Sequence, residues 1–347
     1  MKSEKNKYLL LLLTLLAFIG CKGQKVAEKF EWTGTVSAPE EYPIEVYKGA
    51  IIASDFTYDF DAIWGTQNTG WGNDGGIMSV STKQMEAPDS LSFTWLSLVE
   101  NKFYTGKWKL DKNRIVKLFR EGFINTMNHK KETYKLIKVG LAPKGRVMVW
   151  LSGAGFQTEV GTFQAHDTTV TAVKAYENAK YMFKPNYIQL TLADDMVMKP
   201  EIKARIKQYG QPDMDIYEAY RKRYDWRPQI ILPDGGKAAT LFYSYLNGEQ
   251  ENRFGEELIS NRYISRAVPN YITLIWKDKG GKRNGFEIRP FDEKEILAAY
   301  SKLGGANSID LIIKLNEDGM TAEVSLKNKE KEIKLTRSKI KISEDLD

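Results

Sequence analysis

Apolar and polar residues alternate most clearly between Thr133 and Leu151. Ile137, Val139 and Leu141 fall on one side of an extended strand, and Val147, Val149 and Leu151 on one side of the next. Ala142-Pro143-Lys144-Gly145 between them has turn chemistry, so the stretch predicts a β-hairpin. Tyr134, Leu136, Met148 and Trp150 put apolar groups on the opposite faces, which predicts a hairpin inside a sheet covered on both sides. The same alternation predicts two strands between Phe30 and Ala53, parted by Pro39 and Pro43, and further strands over 91–99, 102–110, 156–165 and 187–192. Helical spacing replaces it over 112–123, behind an Asp111 cap, with Ile115, Leu118, Phe119 and Phe123 on one face and Gly122 weakening the end. It recurs over 198–209, with Ile202, Ile206 and Tyr209, and over 213–224, with Ile216, Tyr217, Tyr220 and Tyr224; Gly210-Gln211-Pro212 separates the two.

Past Trp226 the earlier order returns. A strand over 271–276, a turn at Gly280-Gly281, a strand over 285–288, a helix behind Asp292 ending near Leu303, and strands over 309–315 and 321–326 follow one another, and a tail over 332–342 closes the sheet. Trp95 and Trp276, Leu110 and Phe291, Asp111 and Asp292, Ile115 and Ile296, and Phe119 and Tyr300 are each 181 residues apart, with Gly145 and Gly319 at matching turns. The expectation is an α+β fold of mainly antiparallel β-sheets with packed helices, arranged as two similar hairpin-helix-hairpin lobes. Residues 31–192 would form the first lobe, 193–226 a helical connector and 227–347 the second lobe.

Composition adds location to this picture. At 42% hydrophobic and 28% charged residues the 347-residue chain has the balance of a folded globular protein. Lys2, Lys5 and Lys7 precede an uncharged, leucine-rich run from Tyr8 to Gly20 that is too short to span a membrane as a mature helix, and this predicts a secretory signal over 1–20. Phe18-Ile19-Gly20-Cys21 resembles the lipobox of bacterial lipoproteins, in which a small residue precedes a cysteine that is diacylated, cleaved and then N-acylated; Phe18 stands where leucine is commonest. Cys21 would then carry the lipid, with 21–30 as acylated cysteine and tether. It is the one cysteine of the chain, which excludes disulfides and thiolate metal clusters. Lys22-Gly23-Gln24 has no aspartate for retention at the inner membrane and no acidic export cluster, so the expected address is the periplasmic face of the outer membrane. Loss of the signal takes three lysines and Glu4 and leaves +4 of the formal +6, mixed in sign along the chain, with no basic stripe for nucleic acid.

Candidate chemistry is sparse. Trp64-Gly65-Thr66-Gln67-Asn68-Thr69-Gly70-Trp71-Gly72-Asn73-Asp74-Gly75-Gly76 is a loop whose Trp64 and Trp71 could stack on a sugar or a peptide side chain, with Asn73 and Asp74 as polar partners. The alternative for this loop is a long hairpin connection with both tryptophans tucked onto the sheet. Glu100, at a turn between aromatic strands, is the best single carboxylate for a ligand, although turn stabilisation explains it too. Asp55, Asp59 and Asp61, and Asp194 with Asp195, are close enough in sequence for acid/base or calcium work but read as solvated turn residues. His129 and His166 lie in polar surroundings without the spacing of a zinc site or a triad, and Ser152-Gly153-Ala154-Gly155 lacks the lysine of a phosphate loop. No catalytic residue, metal or cofactor is assigned.

Ser37-Ala38-Pro39 to Tyr42-Pro43-Ile44-Glu45-Val46, Glu100-Asn101-Lys102-Phe103-Tyr104, the Val139-Gly140-Leu141-Ala142-Pro143 to Val149-Trp150-Leu151 hairpin and Phe291-Asp292-Glu293 together resemble the domain of unknown function 2931, found mostly in lipoproteins of Gram-negative bacteria. The resemblance, taken over Glu31 to Ile342, implies an α+β envelope protein without assigned activity, with relatives associated with interbacterial competition. The sequence therefore points to a lipid-anchored, non-enzymatic factor that binds another protein, of immunity type among the options, with a carbohydrate-binding or carboxylate-dependent glycan-active lipoprotein as the alternative.

Overall fold

The computed structural model describes residues 27–255, 258, 262–305 and 307–344; the signal, Gly20 and Cys21 lie outside them. Three sheets carry the fold. The largest has nine strands in the order Thr33–Ser37, Leu136–Ala142, Arg146–Gly153, Phe156–Gln164, Gln250–Phe254, Lys237–Tyr245, Pro269–Lys277, Arg283–Ile288 and Ile340–Glu344. A six-stranded sheet runs His166–Thr168, Lys102–Lys109, Ser90–Ser97, Ile44–Ile52 and Thr57–Asp61, with Thr66–Gln67 also on Ile44–Ile52. A five-stranded sheet runs Ile264–Ala267, Arg223–Ile231, Ile309–Leu315, Ala322–Lys327 and Glu332–Lys334. Pairing in these sheets is antiparallel except where Thr33–Ser37 lies along Leu136–Ala142 and Arg223–Ile231 along Ile309–Leu315. This is an α+β, sheet-dominated molecule.

The hairpin 136–153 is the middle of the first core. Ala142 pairs with Arg146 around the Pro143–Gly145 turn, and Ile137, Val139, Leu141, Val147, Val149 and Leu151 are all buried. Alternation puts these six on the face that meets the six-stranded sheet, where Phe93, Trp95, Ile51 and Tyr58 receive them. Trp150 and Met148 are buried on the opposite face. A second core lies between the remaining strands of the large sheet and the five-stranded sheet, around Trp226, Leu241, Tyr243, Ile272, Leu274, Tyr300 and Leu311. The two halves of the large sheet join through a single register pair, Gln157 with Gln250.

Each core takes one capped helix. In Lys112–Glu121 the Asp111 carboxylate accepts from the Arg114 amide at 3.0 Å, and Ile115 and Phe119 are buried. Gly122, at φ 55°, ends it, and a Cβ there would lie 2.0 Å from the Glu132 carbonyl oxygen, so the chain turns at that glycine. Phe123, expected on the helix, is therefore in the strand Phe123–Ile124, stacked on Phe156. In Glu293–Leu303 the Asp292 carboxylate accepts from the Glu295 amide at 2.8 Å, and Ile296, Ala299, Tyr300 and Leu303 are buried.

The middle of the chain departs from expectation. The strand expected over 187–192 is a helix, Tyr187–Ala193, because Ile188 and Leu192, four apart, pack on the cluster around Ala179 and Met182 outside the six-stranded sheet. Pro200–Tyr209 is helical as expected, with Ile202 buried, but Tyr209 is exposed. The helix expected over 213–224 is cut to Ile216–Ala219, and Tyr224 lies in the strand Arg223–Ile231, where pairing on both edges overrides helical spacing. Its rings still reach the second core: Tyr224 packs on Tyr300 at 5.3 Å, and the Tyr220 hydroxyl donates to Glu293 at 2.8 Å. The strands between 227 and 267 have weaker alternation and are recognised only in the structure.

Asp111→Ala and Asp292→Ala should each lower stability by about 1 kcal/mol in urea unfolding, the usual cost of a lost N-cap. An unchanged midpoint for both would show that the caps are dispensable.

Candidate functional site

Lys138 occupies the strand position between Ile137 and Val139, so alternation sends its side chain to the face away from the first core. That face is roofed by the loop after Thr66–Gln67, and the Lys138 side chain is 2% exposed. Its ammonium donates to the Gly72 carbonyl at 2.5 Å, to Gln157 Oε1 at 2.6 Å and to Asp74 Oδ1 at 2.6 Å. Three acceptors around one ammonium satisfy its three donors. Burial pushes the Lys138 ammonium below the ordinary lysine value, and the Asp74 carboxylate opposes that shift.

Gln157 completes the knot. Its amide nitrogen donates to the Gly72 carbonyl at 2.9 Å and to the Gly248 carbonyl, which ties the loop to the turn before Gln250–Phe254. Gly72, at φ 80°, lies directly against Gly248, and a Cβ on Gly72 would come within 2.6 Å of the Gly248 Cα. Two backbones approach there as only glycines allow. Ser37 Oγ donates to the Gly70 carbonyl and accepts from the Gly72 amide, both at 3.0 Å.

The expected ligand residues of this loop are used inside the protein. Trp71 meets Trp150 edge to face at 5.0 Å and Tyr217 at 5.2 Å, while Trp150 Nε1 donates to the Asn247 carbonyl at 3.1 Å. Trp64 packs on Phe60 at 5.2 Å and under Gly76. Asn73 donates to the Thr69 carbonyl at 2.9 Å, and Asp74, with its side chain 55% exposed, holds Lys138. Glu100 sits apart from this loop and pins two turns: it accepts from Ser97 Oγ and Tyr104 Oη, both at 2.8 Å, and from the Lys144 amide at 3.1 Å. The tryptophans and Glu100 therefore do not converge on one cleft.

The remaining carboxylates follow the same pattern. Asp55 pairs with Lys29 at 3.0 Å, Asp61 caps Ala62–Trp64, and Asp195 meets Lys203 at 2.6 Å. His129 and His166 are both exposed, and among the described residues no group of three His, Cys, Asp or Glu could hold a metal. Sequence reasoning missed Lys138, Gln157 and the buried Glu45, which accepts from Thr66 at 2.6 Å and from the Tyr187 hydroxyl. A signal for Lys138 was present: a lone cation inside Leu136-Ile137-Lys138-Val139-Gly140-Leu141, a run apolar on both faces.

A family model described as a protein of unknown function, DUF2931, matches residues 20–213. The chain belongs to the DUF2931 family. The DUF2931 match takes in the hairpin, Lys138, Asp74 and Gln157, and it ends before Arg223–Ile231, so Phe291-Asp292-Glu293 lies beyond it. Neither the curated proteins nor the solved structures offer a match to the chain.

Lys138→Met should cost about 1–3 kcal/mol, because it leaves the buried Gln157 Oε1 without its donor, and Asp74→Ala should cost at least as much, because it leaves the buried ammonium without its counter-charge. Urea unfolding of the two variants checks the order. Burial pushes the phenols of Tyr42 and Tyr176 up to about 12. The unfolded chain then loses these protons first, so their contribution to stability is whole below pH ~10 and is lost as pH rises towards 12. Tyrosinate absorbance near these pH values should rise together with loss of near-ultraviolet circular dichroism; tyrosinate formed fully at pH ~10 in a still-folded chain would contradict this.

Proposed function

We propose that this DUF2931 protein is a lipid-anchored, non-enzymatic protein-binding factor of the bacterial envelope, with immunity against a secreted toxin as the first role to test. The observation that carries the anchor is Phe18-Ile19-Gly20-Cys21 behind its apolar run. Several acyl chains on Cys21, each buried methylene worth about 0.8 kcal/mol, would hold the folded part at the periplasmic face of the outer membrane. Support for protein binding over glycan binding comes from the tryptophans: Trp71 packs on Trp150 and Tyr217, and Trp64 on Phe60, so each is partly covered by other rings. The same region carries exposed Ile63, Ile77 and Met78, with Met78 fixed to the sheet by its amide donating to Tyr58 Oη at 2.8 Å. Exposed apolar side chains beside a sheet suit a protein partner.

The same reading takes the chain as two lobes of one design, 31–192 and 227–347 around the 193–226 connector. Its support is the recurrence of pairings. Thr33–Ser37 runs parallel to Leu136–Ala142 as Arg223–Ile231 does to Ile309–Leu315. Ile44–Ile52 is flanked by Thr57–Asp61 and Ser90–Ser97, and Lys237–Tyr245 by Gln250–Phe254 and Pro269–Lys277.

Cys21→Ser should release the protein from membranes washed with carbonate, and an Ile63→Glu, Ile77→Glu variant should lose the partner that the wild type retains from envelope extract without a change in unfolding midpoint. Continued sedimentation of Cys21→Ser removes the anchor. Equal retention by the double variant removes this surface, and saturable binding to a glycan array would favour the carbohydrate alternative instead.

A further inference from the structure

The described chain starts beside the far end of the first capped helix. Glu28 pairs with Arg120 in the last turn of Lys112–Glu121, and Phe30 packs on Phe119 at 4.9 Å. Glu28 is seven residues along the chain from Cys21, and seven residues span at most about 25 Å. With Cys21 as the lipid-bearing residue, a reading on which this inference rests, the end of that helix stays within about 25 Å of the bilayer. A hairpin stands at that end. After Gly122 the chain forms Phe123–Ile124 and Lys131–Glu132, with Phe123 opposite Glu132 and Ile124 opposite Lys131. Phe123 is buried in the first core, so Ile124 and Lys131 take the other side of the ribbon, and both are exposed.

Local bonds hold the tip in place. Asn125 and Asn128 donate from Nδ2 to Glu132 Oε1 at 2.9 and 2.8 Å, and Asn252 Nδ2 donates to Thr126 Oγ1 at 2.8 Å. The Met127 amide donates to Asn125 Oδ1, the Lys130 amide to Asn128 Oδ1, and His129 packs on Phe254 at 5.3 Å. Met127 is left at the tip with 92% exposure, and Lys130 is exposed beside it. The carboxylate of the hairpin, Glu132, is occupied by the two asparagines. Along the adjoining helix the charges answer one another: Lys112 pairs with Glu86 at 2.7 Å and Lys117 with Glu121 at 3.8 Å, Asp111 caps the helix, and Arg114 donates to the Glu159 carbonyl. Lys130 and Lys131 have no carboxylate at ion-pair distance among the described residues.

We propose that the hairpin 123–132 is the face by which the protein rests on an anionic phospholipid bilayer, with Lys130 and Lys131 on the lipid phosphates and Met127 and Ile124 entering the headgroup layer. Basic residues close to a membrane anchor are drawn to anionic lipid, and apolar side chains between them suit the boundary of headgroups and acyl chains. The short tether keeps the hairpin near the bilayer, so even a weak contact there is made at high effective concentration. The acyl chains then fix the distance of the folded part, and the hairpin fixes which side of it faces the lipid.

The test uses the chain from residue 21 onward with Cys21→Ser, which keeps every described residue and needs no acyl group, so a failed anchor in carbonate washing and a failed face are separate results. This parent is sedimented with vesicles of phosphatidylglycerol and phosphatidylcholine in equal parts, and with vesicles of phosphatidylcholine alone. Binding to the mixed vesicles at low ionic strength is expected to be at least ~10-fold tighter, to weaken as salt is added, and to fall at least ~10-fold in Lys130→Glu, Lys131→Glu. Lys314→Glu, Lys329→Glu reverses two exposed lysines in and beside the five-stranded sheet and should bind as the parent does. Equal binding to both vesicles, undiminished binding by the hairpin variant, or an equal loss in the second variant each overturns the proposal. Should Lys130→Glu, Lys131→Glu not fold, Lys130→Gln, Lys131→Gln decides it by the same comparison.

Discussion

A single buried ammonium fastens the loop that carries Gly72 and Asp74 to the large sheet. Lys138 stands in a strand whose neighbours are apolar, and a charge taken from water there is tolerable only if every donor finds an acceptor. The acceptors come from two places apart from it in sequence: one loop, with the Gly72 carbonyl and the Asp74 carboxylate, and the side-chain amide of Gln157. The loop must therefore cross the sheet where it does. Trp71 can then wedge between Trp150 and Tyr217, and the Gly72 backbone can touch Gly248.

The knot lies where the two halves meet. The halves of the large sheet share one register pair at Gln157 and Gln250, and Gln157 also donates to the carbonyls of Gly72 and Gly248. The sparse ladder is thus reinforced by side-chain bonds. One consequence concerns the family boundary: the DUF2931 match stops at residue 213, yet the sheet that its hairpin belongs to continues through strands after residue 236. The matched part ends in the middle of a hydrogen-bonded structure, so the second half contributes to the support of the first.

Polar groups in both cores divide by what they leave over. Glu100 and Lys138 are saturated by protein partners and act as fasteners. Glu251 is shared by Arg253 and Arg266, and Arg266 Nη2 is buried without a partner among the described residues. Saturated networks fix a fold. Space is filled by Phe60 in the first half and open beside Arg253 in the second.

The central hairpin, both capped helices and the strands 309–315 and 322–327 were legible in the sequence because their signals are local: alternation, a turn at Pro143, an aspartate at each helix start. Residues 187–193 and 216–224 were not, since Ile188 with Leu192 and Tyr220 with Tyr224 suit either period and the neighbouring sheets chose between them. Tucked tryptophans at Trp64 and Trp71 and a turn-stabilising Glu100 were among the readings of the sequence, but their partners were beyond it, because which ring or acceptor a side chain meets depends on residues far away along the chain. By itself the sequence determined the mainly antiparallel sheets and the two helix caps, through preferences that act over a few residues. Only the tertiary structure decided that Lys138 is a buried fastener and Arg253 a cation beside a cavity, because charge balance is set by what long-range packing brings within hydrogen-bond reach.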